Sequence, residues 1–296
     1  MGVAGLVLAA TGTGAGTAAA SVTAYAAAGV GQSSVGRSAR AAQAAPIPGV
    51  DSMWVWQARP SADLAAQASE LGVGRVFLFV PSAAGEGDGN LQQSVRLLHD
   101  EGVRVYALSG EPAWTFRHRA AVAWARRALR LAPFDGLHLD VEPHALRHWK
   151  RDQQRLIADY LALLDRIAPM AGPLGVDVQF AYGKIATPGG STFADDILGR
   201  VDEVTVMSYR DTGFGNNSLT EIATDWLQRA SAAGTDVWLA AETNAVPGCS
   251  YCTFYEDGQG RMHDVLAAVD EWARPQFPTY RGMAIEDLDG WLALGP

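Results

Sequence analysis

From residue 50 onward the chain switches eight times between a short β-rich run and a longer segment of helical period, and few folds can accommodate that rhythm. Strands are expected at residues 53–57, 75–80, 103–109, 136–142, 176–182, 203–209, 237–242 and 282–286. Helices are expected between them at 62–71, 91–101, 116–131, 152–167, 219–233 and 262–273, with a short one at 193–200. In the 152–167 segment, Leu156, Ile157, Tyr160, Leu161, Leu164 and Ile167 recur at three- and four-residue spacing and so share one face. Strands that alternate with helices form parallel sheets, because each crossover returns the chain to the same edge. An open doubly wound sheet usually carries a glycine-rich turn after its first strand, and none follows Gln57. Eight units in about 250 residues therefore predict a single (β/α)8 barrel over residues 45–296.

Residues 1–44 have a different character. Ala, Gly, Ser and Thr dominate, Asp and Glu are absent, and Arg37 and Arg40 are the only basic residues. The apolar run at 3–10 and the small-residue site Ala42-Gln43-Ala44 predict a secretory leader and an extracytoplasmic protein; with no Lys or Arg before the apolar run, a low-complexity segment is the alternative. No other stretch approaches the roughly 20 apolar residues of a membrane span. Lys and Arg number 23 against 32 Asp and Glu, a net charge of -9, which argues against a nucleic-acid partner. Cys249 and Cys252 are the only cysteines. A zinc site of this spacing needs a second pair, so in an exported chain they are expected to bridge a loop.

Barrels of this kind place their chemistry at the carboxyl ends of the strands, which directs attention to Asp135-Gly136-Leu137-His138-Leu139-Asp140-Val141-Glu142-Pro143. Side chains alternate along a strand, so Leu137, Leu139 and Val141 face the helices. His138, Asp140 and Glu142 then face the barrel interior, with Glu142 nearest the mouth. Buried carboxylates without partners are unfavourable, and their position at a strand end marks them as catalytic candidates. A purely structural role is the expectation for His138, bonded to Asp140.

This stretch resembles the fourth-strand signature DGxDxDxE of glycoside hydrolase family 18, the chitinase-like barrels. Val206-Met207-Ser208-Tyr209-Arg210-Asp211 is similar to that family's Met-x-Tyr-Asp stretch on strand six. The resemblance implies that Glu142 is the proton donor, that Asp140 orients a substrate acetamido group, and that Tyr209 steadies it. His138 replaces the signature's first Asp, Arg210 follows Tyr209 directly, and strand eight ends in Glu286 without a Trp. These departures imply a divergent branch acting on a polysaccharide other than chitin.

Glu242 ends strand seven, and glutamates ending strands four and seven also resemble the acid/base and nucleophile of the other large group of barrel glycosidases. Glu242 is accordingly a fourth catalytic candidate beside Glu142, Asp140 and Tyr209. Trp54, Trp56, Trp114, Tyr182 and Trp291 are placed near the mouth, where aromatic rings stack on sugar faces. Trp56, Gln179, Arg210, Glu286 and Trp291 are the expected substrate contacts, and His138 is kept as a candidate contact beside its expected structural role. The functional expectation is an exported glycoside hydrolase acting on a carbohydrate, with no cofactor and no metal. Two alternatives stand beside it: a noncatalytic carbohydrate-binding relative, and a metal-dependent hydrolase using His138, Asp140 and Glu142. Those three positions span about 13 Å along a strand, too far for one ion.

Overall fold

The computed structural model describes residues 49–83, 85 and 88–295. The expected leader and the 1–44 boundary lie outside these residues. Eight parallel strands close in sequence order into a barrel: β1 (Val50–Val55), β2 (Arg75–Phe79), β3 (Arg104–Ser109), β4 (Gly136–Leu139), β5 (Leu174–Gln179), β6 (Glu203–Met207), β7 (Asp236–Glu242) and β8 (Tyr280–Glu286). Around them run α1 (Ser61–Leu71), α2 (Asp88–Asp100), α3 (His118–Leu131), α4 (Trp149–Ala171), α5 (Phe193–Leu198), α6 (Leu219–Ala233), α7 (Gly258–Ala273) and α8 (Leu288–Ala293). The expected (β/α)8 fold is therefore present.

Strand alternation divides the apolar residues into two cores. Leu137, Leu139, Val141, Val176, Val178, Val237 and Leu239 face outward and pack with the helices, including Leu156, Ile157, Tyr160, Leu164 and Ile167 of α4. Trp54, Phe77, Tyr106, Leu108, Met207, Tyr209, Trp238, Ala240 and Ala284 fill the barrel itself. The floor of the interior is polar. The Arg75 guanidinium is paired with Glu203 and lies over the rings of Trp238 (3.9 Å) and Tyr106 (4.6 Å). The Tyr106 hydroxyl donates to the other Glu203 oxygen at 2.8 Å.

Five strands end earlier than expected, β1, β2 and β6 by one or two residues and β4 and β5 by three. β4 stops at Leu139, although Asp140 still donates its N–H to the Ser109 carbonyl at 3.1 Å. β5 stops at Gln179, whose side chain accepts the Ala181 N–H at 2.7 Å and starts the 3-10 turn Phe180–Lys184. Tyr182 consequently lies in that turn and not on the strand. Glycine is required where strands crowd. A Cβ at Gly110 would sit 1.8 Å from the Asp140 carbonyl oxygen, and one at Gly175 would sit 2.6 Å from Nδ1 of its cross-strand partner His138.

Candidate active site

The carboxyl ends of β4, β5, β7 and β8 bring five acidic side chains into one mouth. Directly after β4, Asp140 and Glu142 turn inward on either side of the outward Val141, and both are buried, Glu142 being 3% exposed. Pro143 then opens the 3-10 turn Pro143–Ala145. This turn returns the His144 ring to Glu142, with Nε2 3.2 Å from Oε2. On the next strand, Asp177 is buried beneath them and accepts the Trp54 indole N–H at 3.2 Å. Its other oxygen lies 2.8 Å from Nε2 of His138.

On the opposite side, β8 lies four strands from β4 around the closed barrel and delivers Glu286. Glu286 accepts one bond from the Trp56 indole (2.9 Å) and one from the Tyr209 hydroxyl (3.0 Å). Glu242, its register partner on β7, accepts the N–H groups of Thr243 and Asn244 and the Asn244 side-chain amide, at 2.7 to 3.1 Å. Among the described residues, no Lys or Arg forms an ion pair with Asp140, Glu142, Asp177, Glu242 or Glu286.

The electrostatic consequence is uniform. Burial raises Asp177 well above the usual carboxylate range, and it raises Asp140 likewise with repulsion from Asp177 added. Glu142 is raised well above that range by burial and then by Asp140 and Asp177. Burial, then Glu242, Asp140 and Asp177, lift Glu286 in the same way. Glu242 is raised to about 7 by burial, with its N–H donors opposing the shift. Carboxyl groups held protonated near neutral pH are proton donors, as general acid chemistry requires.

Several expected contacts take other places. His138 does not bond Asp140; it stacks on Phe77 with ring centroids 3.8 Å apart and bonds Asp177 one layer below the mouth. It is 1% exposed, and burial lowers its pKa to about 3, which keeps it neutral. Arg210 is buried, with its guanidinium donating to the Asn217 carbonyl and side chain and to the Tyr209 carbonyl, so it braces the loop after β6. Trp291 lies in α8 and packs in the outer core, as do Trp114 and Tyr182, while Trp54 is buried inside the barrel. All four rings are buried in this structure. Gln179 is at the mouth and half-buried, with its carbonyl used in capping the next turn.

Trp56 remains half-exposed at the rim. The large aromatic side chains that are most exposed, Phe116 (45%), Phe214 (51%), Tyr251 (37%) and Tyr255 (50%), all follow carboxyl ends of strands, after β3, β6 and β7. Cys249 and Cys252 form a disulfide in the loop after β7, the bridge expected from their spacing.

Sequence reasoning missed Asp177 and His144. Asp177 was detectable, because it shares the inward face of β5 with Gln179 two residues on. No motif pointed to His144. Among the described residues, no group of three or more His, Cys, Asp or Glu side chains has the geometry of a metal site, and no helix is long and apolar enough to cross a membrane.

No protein-family model and no curated protein matches the chain. Solved structures do match. A family 18 chitinase from Pseudoalteromonas aurantia superposes with a TM-score of 0.53 at 13% identity, over 81% of this chain and 94% of that one. A family 18 chitinase from Cycas revoluta, in complex with (GlcNAc)3, gives 0.50 at 12% identity over 81% and 95%. The glycoside hydrolase domain of PgaB from Bordetella bronchiseptica gives 0.50 at 11% over 84% and 96%. At such identities the likeness is one of architecture: the chain folds as a barrel of the kind found in family 18 glycoside hydrolases.

Proposed function

We propose that the protein is an exported glycoside hydrolase that cleaves a poly- or oligosaccharide at the carboxyl-end mouth of its barrel, with Glu142 as the general acid. The observation that carries this reading is the state of Glu142: a carboxyl at the end of β4, buried beside Asp140 and Asp177, whose pKa is raised well above the carboxylate range. A glycosidic oxygen leaves poorly unless it is protonated as the bond breaks, and an acid that retains its proton near neutral pH supplies that need.

In this reading Asp140 orients the sugar beside Glu142, and Asp177 stands next to it in place of the carboxylate that position 138 lacks in the family signature. As the leaving oxygen takes the Glu142 proton, positive charge develops at the anomeric centre. Glu242, on the far side of the mouth and raised only to about 7, is partly ionised at neutral pH and stabilises that charge, since a carboxylate in a low-dielectric site acts strongly on it. Tyr209 holds Glu286 in place. Trp56 and the exposed rings of the β3 and β7 loops give sugar faces something to stack on. Export rests on the 1–44 segment; amino-terminal sequencing of protein secreted by its native host should begin at Ala45.

A broad glycan panel assayed for new reducing ends tests the activity. The wild type should release ends from at least one glycan, and Glu142→Gln should abolish release while retaining binding. Binding by the wild type without release from any glycan would replace this reading with that of a noncatalytic carbohydrate-binding protein.

A further inference from the structure

One surface differs in charge from the rest of the molecule. Between Glu111 and Asp135 the sequence has five Arg and no Asp or Glu, in a chain whose net charge is -9. In α3 the buried Ala121, Trp124, Ala125 and Ala128 pack in the outer core, which turns Arg119 and Arg126 to solvent. Arg127 is paired with Asp88. Among the described residues, Arg117, Arg119 and Arg126 take part in no ion pair and no side-chain hydrogen bond, and neither does Arg166 of α4. With Phe116, these four line two adjoining depressions of about 580 and 230 Å³ between α3 and α4, which share His118, Arg119 and Arg166. No acidic side chain lines either one.

Like charges gathered without acids between them repel, so this cluster adds nothing to the fold and attracts what carries the opposite sign. A guanidinium presents a planar fork of N–H donors that fits the paired oxygens of a carboxylate or phosphate. Arg119 and Arg126 stand two turns apart on α3, about 10.5 Å along the axis, an interval suited to a chain with anionic groups at repeated positions. Phe116, 45% exposed, offers a face to a sugar ring. Phe116 and Arg117 follow the carboxyl end of β3, so the groove begins on the same rim as the proposed mouth. A bilayer is the rival anionic surface, but a plane meets only the ridges of a groove between helices, and the net charge of -9 opposes its approach. We propose that the α3–α4 groove binds an acidic glycan, a chain bearing carboxylate or phosphate groups, with Arg119, Arg126 and Arg166 each taking an anionic group and Phe116 a sugar face. The anion site stands on the arginines alone; that its occupant is a glycan continuous with the mouth rests on the hydrolase reading.

Calorimetric titration of the full chain with defined probes tests the groove. Oligogalacturonate should bind, with an affinity that falls as salt rises, and its methyl ester, the same chain without charge, should not. Phosphorylated mannan beside neutral mannan reads the phosphate case, and binding of one acidic chain and not the other identifies the anion. The triple variant Arg119→Gln/Arg126→Gln/Arg166→Gln changes only exposed side chains and should keep the wild-type circular dichroism spectrum. It should bind the acidic chain about tenfold more weakly, as the loss of three exposed ion pairs predicts. Arg96→Gln/Arg130→Gln, at a separate depression, should bind as the wild type does. No binding of either acidic chain, equal binding of charged and neutral forms, or a triple variant as tight as the wild type would overturn the proposal. So would binding to phosphatidylglycerol vesicles, lost in the triple variant, by a protein that ignores both acidic glycans. If no glycan is cleaved by any form, the hydrolase reading fails, while these titrations still decide the groove.

Discussion

Replacing Arg75 by Met would remove the cation from the barrel floor and test whether that layer holds the barrel together. Arg75 is 1% exposed, is paired with Glu203 across the interior, and lies over Trp238 and Tyr106 at 3.9 and 4.6 Å. It thereby connects β2 to β3, β6 and β7. Without it, Glu203 retains the Tyr106 hydroxyl bond and no opposing charge. Removing one partner of a buried pair costs about 3 to 5 kcal/mol, because the remaining charge stays desolvated. Losing two ring contacts adds about 1 kcal/mol or more, and the Met side chain returns part of this as apolar packing. The expected net loss is about 4 kcal/mol, or roughly 10 °C in Tm for a domain of this size. The double variant Arg75→Met/Glu203→Gln leaves no isolated charge and should fall within about 2 kcal/mol of the wild type. Urea unfolding of the wild type, both single variants and the double variant gives the coupling directly. A loss below about 1 kcal/mol in Arg75→Met, or a double variant no more stable than the single, would refute this account of the floor.

Three further outcomes follow from the same geometry. Asp140, Glu142, Asp177 and Glu286 are raised by burial, and Glu242 is raised to about 7, so the folded protein keeps protons that the unfolded chain has lost. Their stabilising contribution is complete below about pH 4 and is lost as pH rises through the raised values. His138, depressed to about 3, acts in the opposite sense, its contribution being lost as pH falls from about 6.5 toward 3. Five groups against one predict that urea stability declines from pH 5 to pH 9 and that Asp140→Asn flattens the decline; a rise over that range would contradict the burial argument. Gly110→Ala places a Cβ 1.8 Å from the Asp140 carbonyl oxygen and should prevent cooperative folding, as judged by the loss of a sharp thermal transition in circular dichroism. Removing the Cys249–Cys252 bridge with a double Ser variant opens a very short loop and should cost about 2 kcal/mol in urea unfolding.

The fold was legible because alternation is a local property. Apolar residues at 137, 139 and 141 against His138, Asp140 and Glu142 declare two faces of one strand, and a closed barrel lets those faces have only one inside. Trp238, Ala240 and Glu242 on β7 separate from Val237, Leu239 and Ala241 in the same manner, and the interior core contains the first set. What could not be read is which interior residue meets which. His138 reaches Asp177 on the neighbouring strand in preference to Asp140 on its own: its register partner there is Gly175, whose lack of a side chain leaves the imidazole room to lie against that strand. Trp291 and Arg210 follow strand ends in sequence, but the chain beyond a strand turns with no fixed period, and both side chains are buried in the packing around the mouth. His144 was hidden for the same reason: only the turn after Pro143 brings its ring back to Glu142.

The central claim is that Glu142 donates a proton to the leaving oxygen, and leaving-group dependence tests it most directly. Once a cleaved glycan is found, its sugar can be attached to a series of phenols spanning a wide range of acidity. Glu142→Gln should lose turnover by several orders of magnitude on the natural linkage, yet approach the wild type on the most acidic phenols, which depart without protonation. A loss that is the same for every leaving group, or no loss on the natural linkage, would contradict the assignment.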